Sequence, residues 1–276
     1  MPCQCTPFSK KAYLNRCAAL LFKGKLNNTQ RTALLLFSAL AMLKRNVLSE
    51  NFPISYLAYV LATVYHETAY TMKPIEEYGK GKGRPYGEPN PETGQTYYGR
   101  GYVQITWLEN YAKAIDVVRD MNTLERGHID FVQVPDLALS AANSAQITMS
   151  GMIDGWFTGR KMSDYLDSPE PDYINARRII NGTDKAIEIA AHSMAFEQAI
   201  RLATGESIER RTIQYGIKNC NDTRELQILL GVTVDGAFGN KTKQALISLQ
   251  RRLHLVGDGI CGSATWSTID REIYNK

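Results

Sequence analysis

At 276 residues, with 44% apolar and 22% charged side chains, the chain has the make-up of a globular protein with room for one sizeable core and a second small one. That excludes a disordered or fibrous chain. A formal charge of +4 suits a protein that approaches an anionic polymer or envelope, and it is too small to single out nucleic acid, which is not an expected partner.

Residues 30–45 read as the first helix, after capping residues at Asn28 and Thr29. Its apolar run, residues 33–43, is eleven residues long, well short of the roughly 20 needed to span a bilayer, so no stable membrane insertion is expected. The start of the sequence also lacks the charged head, apolar stretch and cleavage site of a signal peptide. A second helix begins near Pro53, a first-turn proline after Asn51. On it Leu57, Val60, Leu61 and Val64 recur at spacings of three and four, a core-facing stripe that Glu67 continues. Residues 79–95 (GKGKGRPYGEPNPETGQ) cannot sustain a helix or strand and read as an exposed loop. An aromatic and polar stretch follows at 97–111, and further helices are expected at 137–157, 173–180 and 185–203. Strand signals are few.

After about Thr204 a polar stretch leads into an internal repeat. Asp235-Gly236-Ala237-Phe238-Gly239-Asn240-Lys241-Thr242 is echoed by Asp258-Gly259-Ile260-Cys261-Gly262-Ser263-Ala264-Thr265, with Leu246 or Ile269 four residues after each threonine. Each copy supplies a glycine turn whose threonine is placed to cap the next helix, so the segment reads as a separate module of paired turn-helix units.

The chemistry-bearing residues gather near the second helix. A carboxyl on an apolar helix face is raised in pKa by burial, as a general acid near neutral pH requires; at a helix end it can also rotate out to solvent or pair with a cation. Glu76 and Glu77 stand nine and ten residues beyond Glu67, just before the glycine-rich loop. Two carboxyl groups roughly 6.5 to 9.5 Å apart are the equipment of an inverting glycosidase. A solvated acidic turn is the alternative. His66-Glu67 lacks the second histidine of a helical zinc motif, since Tyr70 stands there, and the scattered His66, His128, His192 and His254 read as structural. Cys3, Cys5, Cys17, Cys220 and Cys261 form an odd set without CxxC spacing and read as reduced thiols. No cofactor or metal is expected. The GKGKG run lacks the G-K-[S/T] ending of a phosphate loop, and no serine or cysteine sits in a nucleophile elbow.

Taken together, His66-Glu67-Thr68, Tyr97-Tyr98-Gly99-Arg100-Gly101, Gln104-Ile105-Thr106, Asn110-Tyr111 and Ile179-Ile180-Asn181-Gly182 resemble glycoside hydrolase family 19, the family of plant chitinases and many bacteriophage endolysins, over roughly residues 50–200. The resemblance implies a mainly helical, lysozyme-like two-lobed catalytic domain that cleaves β-1,4 bonds beside N-acetylated sugars with inversion. It makes Glu67 the general acid and Glu77 the general base, with Thr106 helping to hold the water. Tyr98, Arg100, Gln104, Asn110 and Asn181 fall on positions that bind substrate, shape the cleft or orient the carboxylates. Glu76 departs from the basic residue common there, and some phage members place the second glutamate nine residues after the first, so the base stays a choice between Glu77 and Glu76.

The carboxyl-terminal repeat separately resembles the small three-helix peptidoglycan-binding module, through Leu226-Gln227, the stretch from Val234 to Thr242 and that from Asp258 to Trp266. The implied organisation is a catalytic domain at 1–205, a linker at 206–222 and a binding domain at 223–276. The implied function is a monomeric endolysin of lysozyme type, made in a host cytoplasm without a signal peptide, released by a separate holin and acting on bacterial peptidoglycan. A chitinase, and an inactive wall-binding or virion structural protein, are the alternatives.

Overall fold

The computed structural model describes residues 8–47, 52–119, 129–206 and 208–274. Its architecture is mainly helical, in keeping with the scarcity of strand signals. In chain order the elements are α1 (Lys10–Leu21), α2 (Asn28–Met42), α3 (Ile54–Glu67), the short strands β1 (Ile75–Glu76) and β2 (Arg100–Gly101), α4 (Leu108–Val117), α5 (Ala141–Asp154), α6 (Ser163–Leu166), α7 (Ala186–Ala203), α8 (Asn221–Leu230), α9 (Asn240–Arg252) and α10 (Ser263–Ile269). Two compact units emerge: residues 28–193, and the residues up to Asn27 together with those from Met194 onward.

Within residues 28–193, α3 is the central element. The apolar stripe of Leu57, Val60, Leu61 and Val64 is buried, but so is every residue from Ser55 to Tyr65. The helix is enclosed around its circumference, not on one face, and α2 and α5 pack against it. Two of its polar groups are satisfied across the fold: the Ser55 hydroxyl donates to the Leu166 carbonyl at 3.0 Å, and Tyr59 donates to that of Ala176 at 2.7 Å. The loop expected at 79–95 is largely exposed and holds only a single 3-10 turn, Pro85–Gly87. The helix expected at 137–157 is a 3-10 turn, Pro135–Leu139, followed by α5, and that expected at 173–180 is a 3-10 turn, Asn175–Ile179.

The second unit is built on Leu226, Phe238, Leu246, Leu249, Trp266 and Ile269, with Ala12 of α1 and Ile213 in the same core. The expected partition at 1–205, 206–222 and 223–276 differs from this division at both ends. Arg16 of α1, 3% exposed, donates to Asp222 at 2.9 Å and Glu225 at 2.5 Å. A buried cation of this kind requires such partners, and they lie on α8. Nor are residues 208–222 a free tether: Ile213 is fully buried and exchanges backbone hydrogen bonds with Cys261. Cys17, Cys220 and Cys261 are free and buried, whereas Cys3 and Cys5 lie outside the described residues.

The repeat copies form superposable networks. Gln227, 1% exposed, donates through Nε2 to Asp235 Oδ1, the Ala237 carbonyl and Thr242 Oγ1, and its Oε1 accepts from the amides of Asp235 and Gly236. Gln250 donates likewise to Asp258 Oδ1, the Ile260 carbonyl and Thr265 Oγ1, and its Oε1 accepts from the Gly259 amide. The threonines therefore do not cap the following helices. Gly239 and Gly262 stand at the caps, and each threonine faces inward to its glutamine.

Candidate functional site

Glu67 closes α3, where burial gives way to partial exposure. A carboxylate at a helix carboxyl end faces the negative pole of the helix dipole, so it needs compensation from outside the helix. Arg177 supplies it. The guanidinium, 3% exposed, donates to Glu67 Oε1 at 2.7 Å and to the Asp184 carbonyl at 3.0 Å. Glu67 itself is 24% exposed and ion-paired, so of the two settings open to a carboxyl at this helix end the structure shows the one paired with a cation. The backbone that follows is constrained: Ala69, Tyr70 and Met72 all adopt positive φ, at 47°, 67° and 55°. Asn181 is joined to this region through the backbone, its amide donating to the Arg177 carbonyl, and its side chain is exposed.

The other two glutamates sit on and just beyond β1, which pairs antiparallel with β2 in the register Ile75 to Gly101 and Glu76 to Arg100. Successive strand residues point to opposite faces, so Glu76 and Glu77 have different neighbours. Glu76 Oε1 accepts from the Tyr98 hydroxyl at 2.6 Å and pairs with Lys80 at 3.2 Å. The Tyr98 bond, reinforced by Lys80, holds the Glu76 carboxyl below the usual carboxylate range. Glu77 is gripped at both oxygens, Oε1 by the Tyr86 hydroxyl and Oε2 by the Gly99 amide, each at 3.0 Å. Partial burial and the bond to Glu77 push the Tyr86 phenol above its ordinary pKa.

Tyr98 and Arg100 were expected to shape the cleft. Arg100 is 4% exposed and its donors are engaged by Asp136, the carbonyls of Thr96 and Tyr98, and the Tyr111 hydroxyl. Its guanidinium carbon lies 3.7 Å from the Tyr98 ring centre. It therefore braces the Tyr98 ring. Gln104 takes a positive φ of 58° and donates to the carbonyls of Ile75 and Gly101. Its Oε1 lies so near Gly99 that a Cβ there would come within 2.7 Å of it and 3.1 Å of Glu77 Cβ. Gln104, Gly99 and Glu77 thus form one cluster. Asn110 donates to the Thr106 carbonyl at 3.1 Å, which fixes the turn on which Thr106 stands half-buried. Among the described residues, no hydrogen bond or ion pair joins Glu67 to another of the expected site residues.

Three residues at the site escape a local reading of the sequence. Arg177 could have been suspected from the Arg177-Arg178 pair just ahead of the Ile-Ile-Asn-Gly block, and Tyr86 as an aromatic ring within the glycine-rich loop. Trp107 has φ 70° and is 46% exposed, with Tyr86 edge-on at 5.2 Å. The two rings line a groove of about 680 Å³ together with Arg84, Pro89 and Leu108. An exposed indole in a sparsely populated backbone region is a feature that packing alone does not select.

Behind Glu67, His66 and His192 each bury an Nδ1 atom that has no partner among the described residues. Tyr65 lies edge-on to His192 at 4.9 Å, and Tyr70 donates to Glu188 at 3.1 Å. Burial holds His192 below its usual pKa. His254 is exposed, and His128 lies outside the described residues. No group of three or more histidine, cysteine or acidic side chains among the described residues is arranged to hold a metal ion.

Residues 211–269 match the family of peptidoglycan binding domains. No curated protein matches the chain. The match spans α8, α9 and α10 with the duplicated glutamine networks, and it begins inside the segment expected to be a linker.

Proposed function

We propose that residues 28–193 hydrolyse the β-1,4-glycosidic bonds of bacterial peptidoglycan with inversion, while the carboxyl-terminal module holds the enzyme on the wall. The observation that carries this reading is that Glu67 and Glu77 are each held in a fixed position by the fold. One carboxyl ends a buried helix against a buried arginine, and the other is fixed at both oxygens beside Gln104. Fixed carboxyl groups of this kind suit the two roles of an inverting glycosidase, an acid that protonates the leaving oxygen and a base that activates water. In this reading Glu67 is the acid and Glu77 the base, and Thr106 helps hold the water. Glu76 is the weaker candidate for base, because the Tyr98 bond and Lys80 hold its carboxyl below the usual range and so make it a poorer proton acceptor.

A wall-binding module on the same chain favours peptidoglycan over chitin, because tethering raises the local concentration of the polymer the module binds. The wider biological reading is an endolysin made in a host cytoplasm and released to the wall by a separate holin. Glu67→Gln is expected to abolish turbidity loss of sacculi while leaving their co-sedimentation with the protein intact; surviving lysis removes Glu67 from its role. Turnover of colloidal chitin without turnover of sacculi would instead assign the chain to chitin.

A further inference from the structure

The duplication in the carboxyl-terminal module is regular in its interior and unequal on its surface. Positions 23 apart correspond: 227 with 250, 235 with 258, 237 with 260 and 242 with 265. In the first copy the chain packs on positions neighbouring that face, while Thr233 itself stays exposed. Helix α8 packs on α1 through Arg16, and the Val234 side chain abuts Gly24, leaving no room for a Cβ there. The guanidinium of Arg224, held by Asn219 and Asn221, lies over Gly236.

The second copy presents different side chains at the corresponding positions. Lys243 and Ile247 of α9 lie against Gly259, and Arg251 against Gly257. Val256 is 81% exposed and Ile260 38%. The changes between copies run in one direction. Where the first has Cys220 and Ile228, the second has the cations Lys243 and Arg251. Where the first has Thr233 and Ala237, the second turns the larger aliphatics Val256 and Ile260 outward. Neither Lys243 nor Arg251 forms an ion pair among the described residues, whereas Arg224 and Arg16 are both engaged. Single exposed aliphatics are ordinary, but an aliphatic strip with an unpaired cation at each end is a binding arrangement.

We infer that this face, Lys243, Ile247 and Arg251 of α9 with Val256 and Ile260 of the following turn, is where the module binds peptidoglycan, and that its ligand is the stem peptide and not the glycan. Residues 243 and 251 are eight positions apart on one helix, roughly 12 Å along its axis. That distance corresponds to about three or four extended residues. A short peptide with small aliphatic side chains and carboxylates near both ends therefore matches the strip in length, polarity and charge. The named face carries no aromatic ring on which a sugar could stack. The inference rests on the wall-binding module and not on the catalytic reading.

The test uses the full chain carrying Glu67→Gln, so that sacculi stay intact, with co-sedimentation on purified sacculi and on sacculi stripped of stem peptides by an amidase. K243E/R251E and V256D are each expected to weaken binding at least tenfold, whereas T233D at the corresponding place in the first copy changes it less than twofold. Wild-type affinity for stripped sacculi should fall by a similar factor. K243Q/R251Q, with circular dichroism and the urea midpoint as checks on folding, gives the same reading if charge reversal harms the module. Equal losses from V256D and T233D, or undiminished binding to peptide-free glycan, would overturn the inference. Lysis by the unmutated chain is scored separately, so a failure of the hydrolase reading is not confused with a failure of this one.

Discussion

Gln227 is the residue on which the module's first turn depends, and its removal has a calculable cost. The side-chain amide has two protons shared among Asp235, Ala237 and Thr242, and its oxygen accepts from two backbone amides, which amounts to four effective hydrogen bonds. At a net value of about 1 kcal/mol each, the ceiling for Gln227→Ala is ~4 kcal/mol. The Asp235 side chain regains water on losing its partner, but the Gly236 amide and the Thr242 hydroxyl are buried and do not. A loss of about 3 kcal/mol is therefore expected, a large share of the stability of a small domain. Gln250→Ala should cost about 1 kcal/mol less, since the Asp258 amide donates to the Val256 carbonyl and not to Gln250. Gln227→Glu should be at least as harmful as Gln227→Ala at neutral pH, because it sets a second carboxylate against Asp235. Urea unfolding of the full chain, with Gln244→Ala on the exposed face of α9 as control, measures all four variants. If Gln227→Ala falls within 1 kcal/mol of the control, the turn is held by its backbone alone and the reasoning fails.

Two further outcomes follow from the candidate site. Tyr86→Phe removes a hydrogen bond to Glu77 worth ~1 kcal/mol at this half-exposed position, so kcat on sacculi should fall roughly fivefold with KM little changed. An unchanged kcat in Tyr86→Phe alongside a clear loss in Tyr98→Phe would transfer the base from Glu77 to Glu76. His192, among Tyr65, His66, Tyr70 and Glu188, is held by burial below its usual 6.5, so its neutral form is the one the fold favours. As pH falls below 6.5 the unfolded chain takes up a proton that the folded chain refuses, and stability is lost until the folded pKa is reached. Melting temperatures between pH 7.5 and 5.0 should therefore decline less steeply in His192→Gln, and parallel curves would remove His192 as the cause.

What the sequence disclosed and what it hid separate by the range of the interaction. The periodicity of Leu57, Val60, Leu61 and Val64 placed a helix correctly and put Glu67 at its end, because spacing along a helix is a local property. It could not show that α3 is enclosed on all sides, and so a stripe that seemed to choose a face chose none. Arg177, 110 positions away, decides the setting of Glu67, and no pattern around Glu67 announces it. The same holds for Arg16, whose partners lie 206 and 209 positions on and draw α1 into the unit at the other end of the chain. The repeat was legible at its glycine turns because turn chemistry is confined to a few residues. Its organising glutamines stand eight positions earlier, in the Leu-Gln pairs at 226–227 and 249–250, and the threonines read as caps because a cap is a local partner and Gln227 is not. Local patterns do not reach buried polar side chains, because in this fold Arg16, Arg177, Gln227 and Gln250 find their partners through tertiary structure. The carboxylates of the candidate site follow the same rule. The sequence singles out Glu67, Glu76 and Glu77, whereas the partners that hold them, Arg177, Tyr86 and Tyr98, come to them only in the folded chain.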